Sequence, residues 1–269
     1  MNQDLKEIAL HHSIGEVIAE LDQQKFWKVL VDFISEYIPV DNWAALIFSD
    51  GRPDFLLFSE VAKKTDDPDP LLHDYAAGLY LLDPFYIRNR DNPQSGFYQL
   101  SDVAPDHFLK TEYYDLYFTH YIGLDEVQYN VLLDSERTLC LSLGSKKKVS
   151  AEHISILNTF RPWVMALMKQ RMSFEHEVSK VPLQQARWKE NFDSAITRGG
   201  TSLTARELDV IRLVLSGSSN KKVAEKLSIS IETVKIHRRH SYAKLNVKSQ
   251  YELFTLFLNS QATAETTKN

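Results

Sequence analysis

Cysteine is nearly absent: Cys140 is the only one in 269 residues. That excludes an internal disulfide framework and any metal knot built from several thiolates. The nine histidines are scattered, and none stands in an HExxH or comparable ligand spacing, so no metal or other cofactor is expected. No apolar run approaches the about 18 uncharged residues of a membrane helix. The N-terminus "MNQDLKEIALHHSIGE" lacks the basic start and apolar centre of a signal peptide. A soluble, cytoplasmic protein without membrane contact is the expectation. Catalytic signatures are missing too. There is no Walker loop, no GxSxG and no Cys/His pair of known type, which argues against an enzyme.

What is present is unevenly distributed. Residues 1–200 hold 20 Lys+Arg against 30 Asp+Glu, a net of −10, whereas residues 201–260 hold 10 against 5, a net of +5. An acidic body joined to a small basic module predicts that the module alone faces a polyanion, with double-stranded DNA the foremost candidate.

The basic module is punctuated like a helical domain. Thr204-Ala-Arg-Glu207 fits a capping box, with Leu203 and Leu208 as its hydrophobic staple. The first helix then carries Leu208, Ile211, Val214 and Leu215 at helical spacing and stops at Ser216-Gly217. A second begins near Ser219 and buries Val223, Ala224 and Leu227; Ser230 caps a third that runs to about Lys244. Ser249-Gln-Tyr-Glu252 starts a fourth. Two short helices joined by a turn of about three residues make a helix-turn-helix. On the third helix, Val234, His237, Ser241 and Leu245 share one face, and Glu232, Lys235, Ile236 and Arg239 share the opposite one. Long donors for guanine edges and an apolar side chain for a thymine methyl are what a major-groove helix needs, which Lys235, Arg239 and Ile236 provide. Thr233 opens the same helix, and Lys221, Lys222, His237 and Arg238 are placed nearer phosphates.

The segment "LTARELDVIRLVLSGSSNKKVAEKLSISIETVKIHRRHSYAKLNV" resembles the LuxR/NarL-type C-terminal DNA-binding domain. It matches the L-T-x-R-E opening, the G-x-x-N-K-x-x-A-x-x-L centre and the S-x-x-T-V-K-x-H recognition segment. The resemblance implies a four-helix domain whose third helix enters the major groove, with base contacts from Lys235, Ile236 and Arg239. It implies a fourth helix, near 249–260, that helps pair two domains on a two-fold site, hence a homodimer acting with RNA polymerase. Asn246 replaces the family's usual Gly and Gln250 its common Arg. Asn tolerates left-handed backbone, so the turn after the third helix is expected to survive.

The acidic body reads as alternating helices and hairpins. Residues 23–38 form a helix with Phe26, Leu30, Phe33, Ile34 and Tyr37 inward, and "NWAALIFSDGRPDFLLFSEV" forms two strands around Asp50-Gly51. Helices are expected at about 69–82 and 107–121, with a proline-rich irregular stretch between. "EVQYNVLLDSERTLCLSLG" alternates as a second strand pair, Cys140 being a small residue on one of its faces, and "SAEHISILNTFRPWVMALMKQRM" makes a long helix that Pro162 is expected to kink. The fold class is therefore an α+β sensor domain, an antiparallel sheet with packed helices as in PAS, GAF and LuxR-type sensors, followed by an all-α helix-turn-helix domain. Boundaries fall at 1–174 for the sensor, 175–200 for a polar linker whose Trp188 and Phe192 dock on a neighbour, and 201–262 for the DNA-binding domain. A response regulator would open on an α/β receiver strand ending in paired acids, whereas this chain opens on a helical pattern.

Residues 72–121 contain twelve Tyr or Phe in fifty positions, against an aromatic share of 11% for the chain. Many are core, but each buried tyrosine hydroxyl needs a partner, and an aromatic pocket with a few polar tips is the usual small-molecule site. Tyr75, Tyr80, Asp83, Phe85, Tyr86, Tyr113, Tyr117 and Glu126 are the candidate lining. Asp83-Pro84 resembles the Asp-Pro pair of acyl-homoserine-lactone sensors, in which the aspartate accepts from the ligand amide. The sequence departs from that pattern where those sensors carry tryptophans. Asp83 reads equally well as a turn residue fixed by Pro84. Carboxylates among tyrosines suit a cationic ligand, while a neutral aromatic or acyl ligand is the other option. A transcriptional regulator controlled by a small molecule is the leading reading. A quorum-sensing lactone receptor and a regulator controlled by a protein partner are the alternatives.

Overall fold

Strand alternation and turn chemistry build an antiparallel sheet from β1 (Asn42–Ser49), β2 (Arg52–Phe58), β3 (Gly96–Gln99), β4 (Asp125–Leu132) and β5 (Thr138–Ser145). Its order is β2-β1-β5-β4-β3, so the two expected hairpins meet through β1 and β5, Leu46 opposite Cys140. The computed structural model describes residues 2–49, 52–59, 75–76, 78–175, 203–215, 218–253 and 255–256. The expected Asp50-Gly51 turn, the Ser216-Gly217 stop, half of the helix at 69–82 and nearly all of the linker, with Trp188 and Phe192, lie outside those residues.

The chain divides into two compact units, Met1–Asp67 with Arg88–Val181, and Pro68–Ile87 with Pro182–Asn269. The sequence reading divides it at 174 and 201 and keeps 68–87 with the sensor. In the first unit, Ala45, Ile47, Val127, Tyr129, Val131, Leu139, Leu141 and Leu143 point to one face of the sheet and join a single apolar core. That core includes the inward stripe of α2 (Phe26–Ser35), where Phe26, Leu30 and Ile34 have no exposure, beside α1 (Asn2–Ala19). Burial of such large side chains stabilises by about 1.5–3 kcal/mol each. A further helix, Ala151–Arg171, packs on the same face; Ser150 caps it and it runs unbroken through Pro162. The Tyr129 hydroxyl donates to the Leu157 carbonyl at 2.7 Å and pins that helix to β4. Burial, opposed by the Arg161 charge, pushes the Tyr129 hydroxyl well above the usual tyrosine range, so it stays a donor.

Two elements arise where proline content pointed to irregular chain. Helix α3 (Pro84–Asp91) starts on a proline, which suits the first helical position because its missing N–H would lack a partner there anyway. Strand β3 pairs with β4, Phe97 opposite Tyr129. The expected helix at 107–121 is present in pieces, with a π-helical turn over Tyr113–Phe118.

The second unit contains α5 (Ala205–Leu215), α6 (Asn220–Leu227) and α7 (Ile231–Leu245), with 250–253 helical again. Here α4 denotes the helix Ala151–Arg171. Val210, Ile211, Val214, Val223, Val234 and Leu253 have no exposure and form its centre. The caps stand where the sequence puts them. Ser219 accepts from the Lys222 N–H, Ser230 from the Thr233 N–H, and Asn246 closes α7 at φ 54°, the left-handed region. The Thr204–Glu207 box is reciprocal: the Glu207 carboxylate accepts from the Thr204 N–H at 2.8 Å while Thr204 Oγ1 accepts from the Glu207 N–H at 3.3 Å. The same carboxylate takes the Lys244 ammonium at 2.7 Å, joining the start of α5 to the end of α7.

Burial alone would raise the Glu207 carboxyl, but hydrogen bonds from Lys244 and Thr204 and the Lys244 charge overcome it and hold it at about 2. Its contribution to stability is thus complete above the ordinary value of 4.5 and is lost as pH falls toward about 2. Glu207→Gln is expected to destabilise the chain at pH 6, with the difference from wild type shrinking by pH 3. Urea unfolding at the two pH values checks this.

Candidate nucleic-acid interface and ligand site

Helix α7 is held on one side and open on the other. Val234 and Ser241 have no exposure, and the Ser241 hydroxyl bonds back to the His237 carbonyl at 2.8 Å. His237 and Leu245 are half-buried on that side. The opposite row, Glu232, Lys235, Ile236 and Arg239, is exposed throughout. Ile236 is 44% exposed, an apolar side chain on a cationic helix face with no core to join. Lys235 reaches Glu232 at 2.8 Å, an exposed pair that competing phosphates or base edges can open at little cost. His240, also exposed, follows Ile236 by one turn and extends the row. His240 is not among the residues expected from sequence, although its spacing of four from Ile236 carries the signal.

Neighbouring polar residues divide by what their side chains reach. Lys221 is exposed and Lys222 half-buried on α6, and Thr233 is tied to Ser230 at 2.7 Å through its hydroxyl. Arg238, read from sequence as lying toward phosphates, turns inward. Its guanidinium donates to Asn220 Oδ1 at 2.8 Å, Tyr242 Oη at 2.9 Å and Gln250 Oε1 at 3.4 Å. Gln250 in turn donates to the Val214 carbonyl at 3.2 Å. A planar guanidinium with several donors is suited to joining three elements at once, and here it links α6, α7 and the last helix.

The candidate ligand residues fall into three groups. In the first, the Tyr75 hydroxyl donates to Asp83 Oδ2 at 2.6 Å, and Tyr80 lies edge-on to Tyr86 with centroids 4.8 Å apart. Asp83 and Phe85 are buried. Asp83 Oδ1 accepts from the Phe85 N–H at 2.8 Å, which makes Asp83 the cap of α3 and Pro84 its first residue. Of the two readings of Asp83, this geometry supports the turn residue: both oxygens already have donors. Burial raises its carboxyl to about 6, against hydrogen bonds from Tyr75 and from the backbone of Phe85 and Tyr86 that lower it. The second group is the π-turn, where Tyr113 stacks on Tyr117 at 5.2 Å and Tyr114 on Phe118 at 5.4 Å. The third is the second face of the sheet.

Strand alternation sends Glu126, Gln128 and Asn130 to the face opposite the apolar core. The sequence pattern implies that such a face meets water, yet the three are 2%, 3% and 0% exposed. Glu126 Oε1 accepts from Gln128 Nε2 at 2.8 Å and from the Ser142 hydroxyl. Register places Ser142 beside Gln128 and Cys140 beside Asn130, with Leu46 beyond Cys140. Gln128, Asn130 and Ser142 were not among the expected ligand residues. The signal for Gln128 and Asn130, which with Glu126 make three polar side chains at period two in one strand, is legible but ambiguous. Among the described residues there is no group of three His, Cys, Asp or Glu that could hold a metal ion, and no helix long and apolar enough to cross a membrane.

Residues 201–257 match the family described as bacterial regulatory proteins, luxR family. A proposed HTH-type transcriptional regulator in the exeN 3′ region of Aeromonas salmonicida is 31% identical over 189 residues, 68% of this chain and 96% of the relative. The nitrate/nitrite response regulator NarP of Escherichia coli is 48% identical over 59 residues, 22% of this chain and 27% of NarP. Among solved structures, the VqsR LBD domain from Pseudomonas aeruginosa is 50% identical and covers 63% of this chain and 99% of its own, with a TM-score of 0.59.

Two outcomes follow from this geometry. Arg238→Ala is expected to lower unfolding stability by about 1–2 kcal/mol by removing three hydrogen bonds to half-buried acceptors. Arg239→Ala should leave stability within about 0.5 kcal/mol of wild type; urea melts of both variants test the division. For Asp83, a folded value raised from 3.8 to about 6 means that its contribution is present below about 4 and is lost as pH rises through 6. Asp83→Asn keeps the cap and removes the titration. Wild type should therefore lose stability relative to this variant between pH 4 and pH 6, measured by paired thermal melts.

Proposed function

Because the chain belongs to the luxR family of bacterial regulatory proteins, we propose that this DNA-binding transcriptional regulator reads a short operator half-site with α7. Lys235, Ile236 and Arg239 contact bases, and Lys221, Lys222, Thr233 and His237 lie toward the backbone. The observation that carries this reading is the division of α7 itself. One face is locked by Val234 and Ser241, and the other presents two cations and an exposed isoleucine. A helix so held can offer long donors and a methyl-contacting side chain to the major groove without first ordering its backbone. Arg238 acts in this reading as the tie that holds the module together.

The sheet unit is the input. We assign residues 1–174 to sensing and pairing, 175–200 to a linker and 201–262 to DNA binding, in a cytoplasmic homodimer that acts with RNA polymerase. Support for a small-molecule input comes from the aromatic groups around Tyr80 and Tyr113 and from the buried polar strip on β4. An effector that binds one arrangement of the paired sensors better than another shifts the population of dimers whose recognition helices fit the operator. A coupling of about 1–3 kcal/mol changes operator affinity by about 5–150-fold.

Arg239→Ala is expected to weaken operator binding by about 1–3 kcal/mol and to relax the choice of base at one position, read by gel shift against single-base operator variants. Unchanged affinity and unchanged base preference would remove Arg239 from the interface.

A further inference from the structure

The strip on β4 has a hydrogen-bonding pattern of its own. Gln128 Oε1 and both polar atoms of the Asn130 side chain have no hydrogen-bond partner among the described residues, although Gln128 is 3% and Asn130 0% exposed. Buried side-chain amides in native proteins are nearly always paired, so two adjacent ones on the same sheet face are not accounted for by packing. The orientation of Gln128 is fixed by its neighbour: Nε2 donates to Glu126 Oε1, and the flipped amide would set oxygen against oxygen. Its Oε1 is thereby committed as an acceptor. Asn130 adds one acceptor and one donor nitrogen. The site thus asks for two donors and at least one acceptor.

That count discriminates among head groups. A carboxylate or phosphate brings acceptors only and would leave both amide oxygens unpaired beside Glu126. An ammonium brings donors only and leaves the Asn130 nitrogen unpaired. A secondary amide or a lactone offers at most one donor. A primary carboxamide or a vicinal diol offers two donors and an acceptor in a compact, neutral group. From Asn130 the face continues across Cys140 to Leu46, with Phe48 next to Leu46 on β1, both buried and apolar. Two strand spacings make this an apolar track of about 10 Å leading away from the polar strip.

We infer that the second face of the sheet binds a small amphipathic molecule whose neutral head, carrying two hydrogen-bond donors and one acceptor, is held by Gln128 and Asn130, with Glu126 and Ser142 fixing the Gln128 amide. The inference rests on the reading of this unit as a small-molecule sensor and narrows it to one class of head group.

The test is thermal unfolding of the full chain with five probes of one chain length at submicellar concentration: octanamide, 1,2-octanediol, octylammonium, octanoate and N-octanoyl-homoserine lactone. Octanamide and the diol are expected to raise the transition of the sheet unit by about 5–10 °C at a hundredfold excess over their dissociation constants, and the other three to leave it in place. Gln128→Met and Asn130→Leu, which keep the length or branching of the residues they replace, should abolish the shift; the ligand-free transition stays put or rises in Asn130→Leu, whereas Gln128→Met also removes the donor to Glu126 and lowers it. An equal or larger shift with octanoate, octylammonium or the lactone would overturn the head-group assignment and leave the sensor reading standing. No shift with any probe, together with a lower ligand-free transition in Asn130→Leu, would give the two amides to the fold and count against the sensor reading as well. Calorimetric titration of wild type with octanamide decides the matter on its own if either variant fails to fold, absence of binding being the contrary result.

Discussion

The burial of one side of α7 is the constraint on which the DNA-binding unit depends. Val234 and Ser241 are fully enclosed, Glu207 ties Lys244 to the start of α5, and Arg238 ties α7 to α6 and to the last helix. With these in place rotation of the helix is opposed, and Ile236 and Arg239 stay exposed beside the Lys235–Glu232 pair. Rotation by one residue, about 100°, would bury charges at a cost of several kcal/mol each unless they were paired. In the proposed reading, affinity for phosphate comes from net charge and the choice of sequence from this fixed presentation.

The sheet unit is built on the opposite economy. One face is a conventional apolar core, closed by α2, α4 and the bond from Tyr129 to the Leu157 carbonyl. The other keeps a carboxylate, two amides and a hydroxyl in adjoining positions of β4 and β5. Each unpaired buried amide group costs about 1–3 kcal/mol, a substantial part of a domain's net stability of about 5–15 kcal/mol. If the proposed ligand occupies this face, relief of that cost would make the stability of the unit depend on the ligand. The two oxygens of Asp83 serve a helix start and a tyrosine, which is a structural use of the Asp-Pro pair.

Much of this was readable from sequence because it is local. Caps at Thr204, Ser219 and Ser230, the left-handed turn at Asn246 and the wheel of α7 depend on residues within one or two turns of each other, and the structure reproduces them. Features that needed distant partners were not readable. Arg238 and Arg239 are adjacent and chemically identical, and only Asn220 and Gln250, brought near by the fold, tell them apart. Alternation in "EVQYNVLL" placed Glu126, Gln128 and Asn130 on one face, but not whether that face was wet, because burial is a property of what covers a strand. Pro84 read as a break and proved to be a helix start, since proline is disfavoured inside a helix and favoured at its first position.

The central claim, that a rigidly held α7 reads DNA as sequence and does so in pairs, is tested most directly by selecting bound duplexes from a random pool with the full chain at physiological salt. The account predicts enrichment of a two-fold symmetric site whose half-sites are centred about one helical turn, or a whole multiple of it, apart. Recovery of bound DNA with no enriched sequence would contradict it, reducing α7 to a cationic surface.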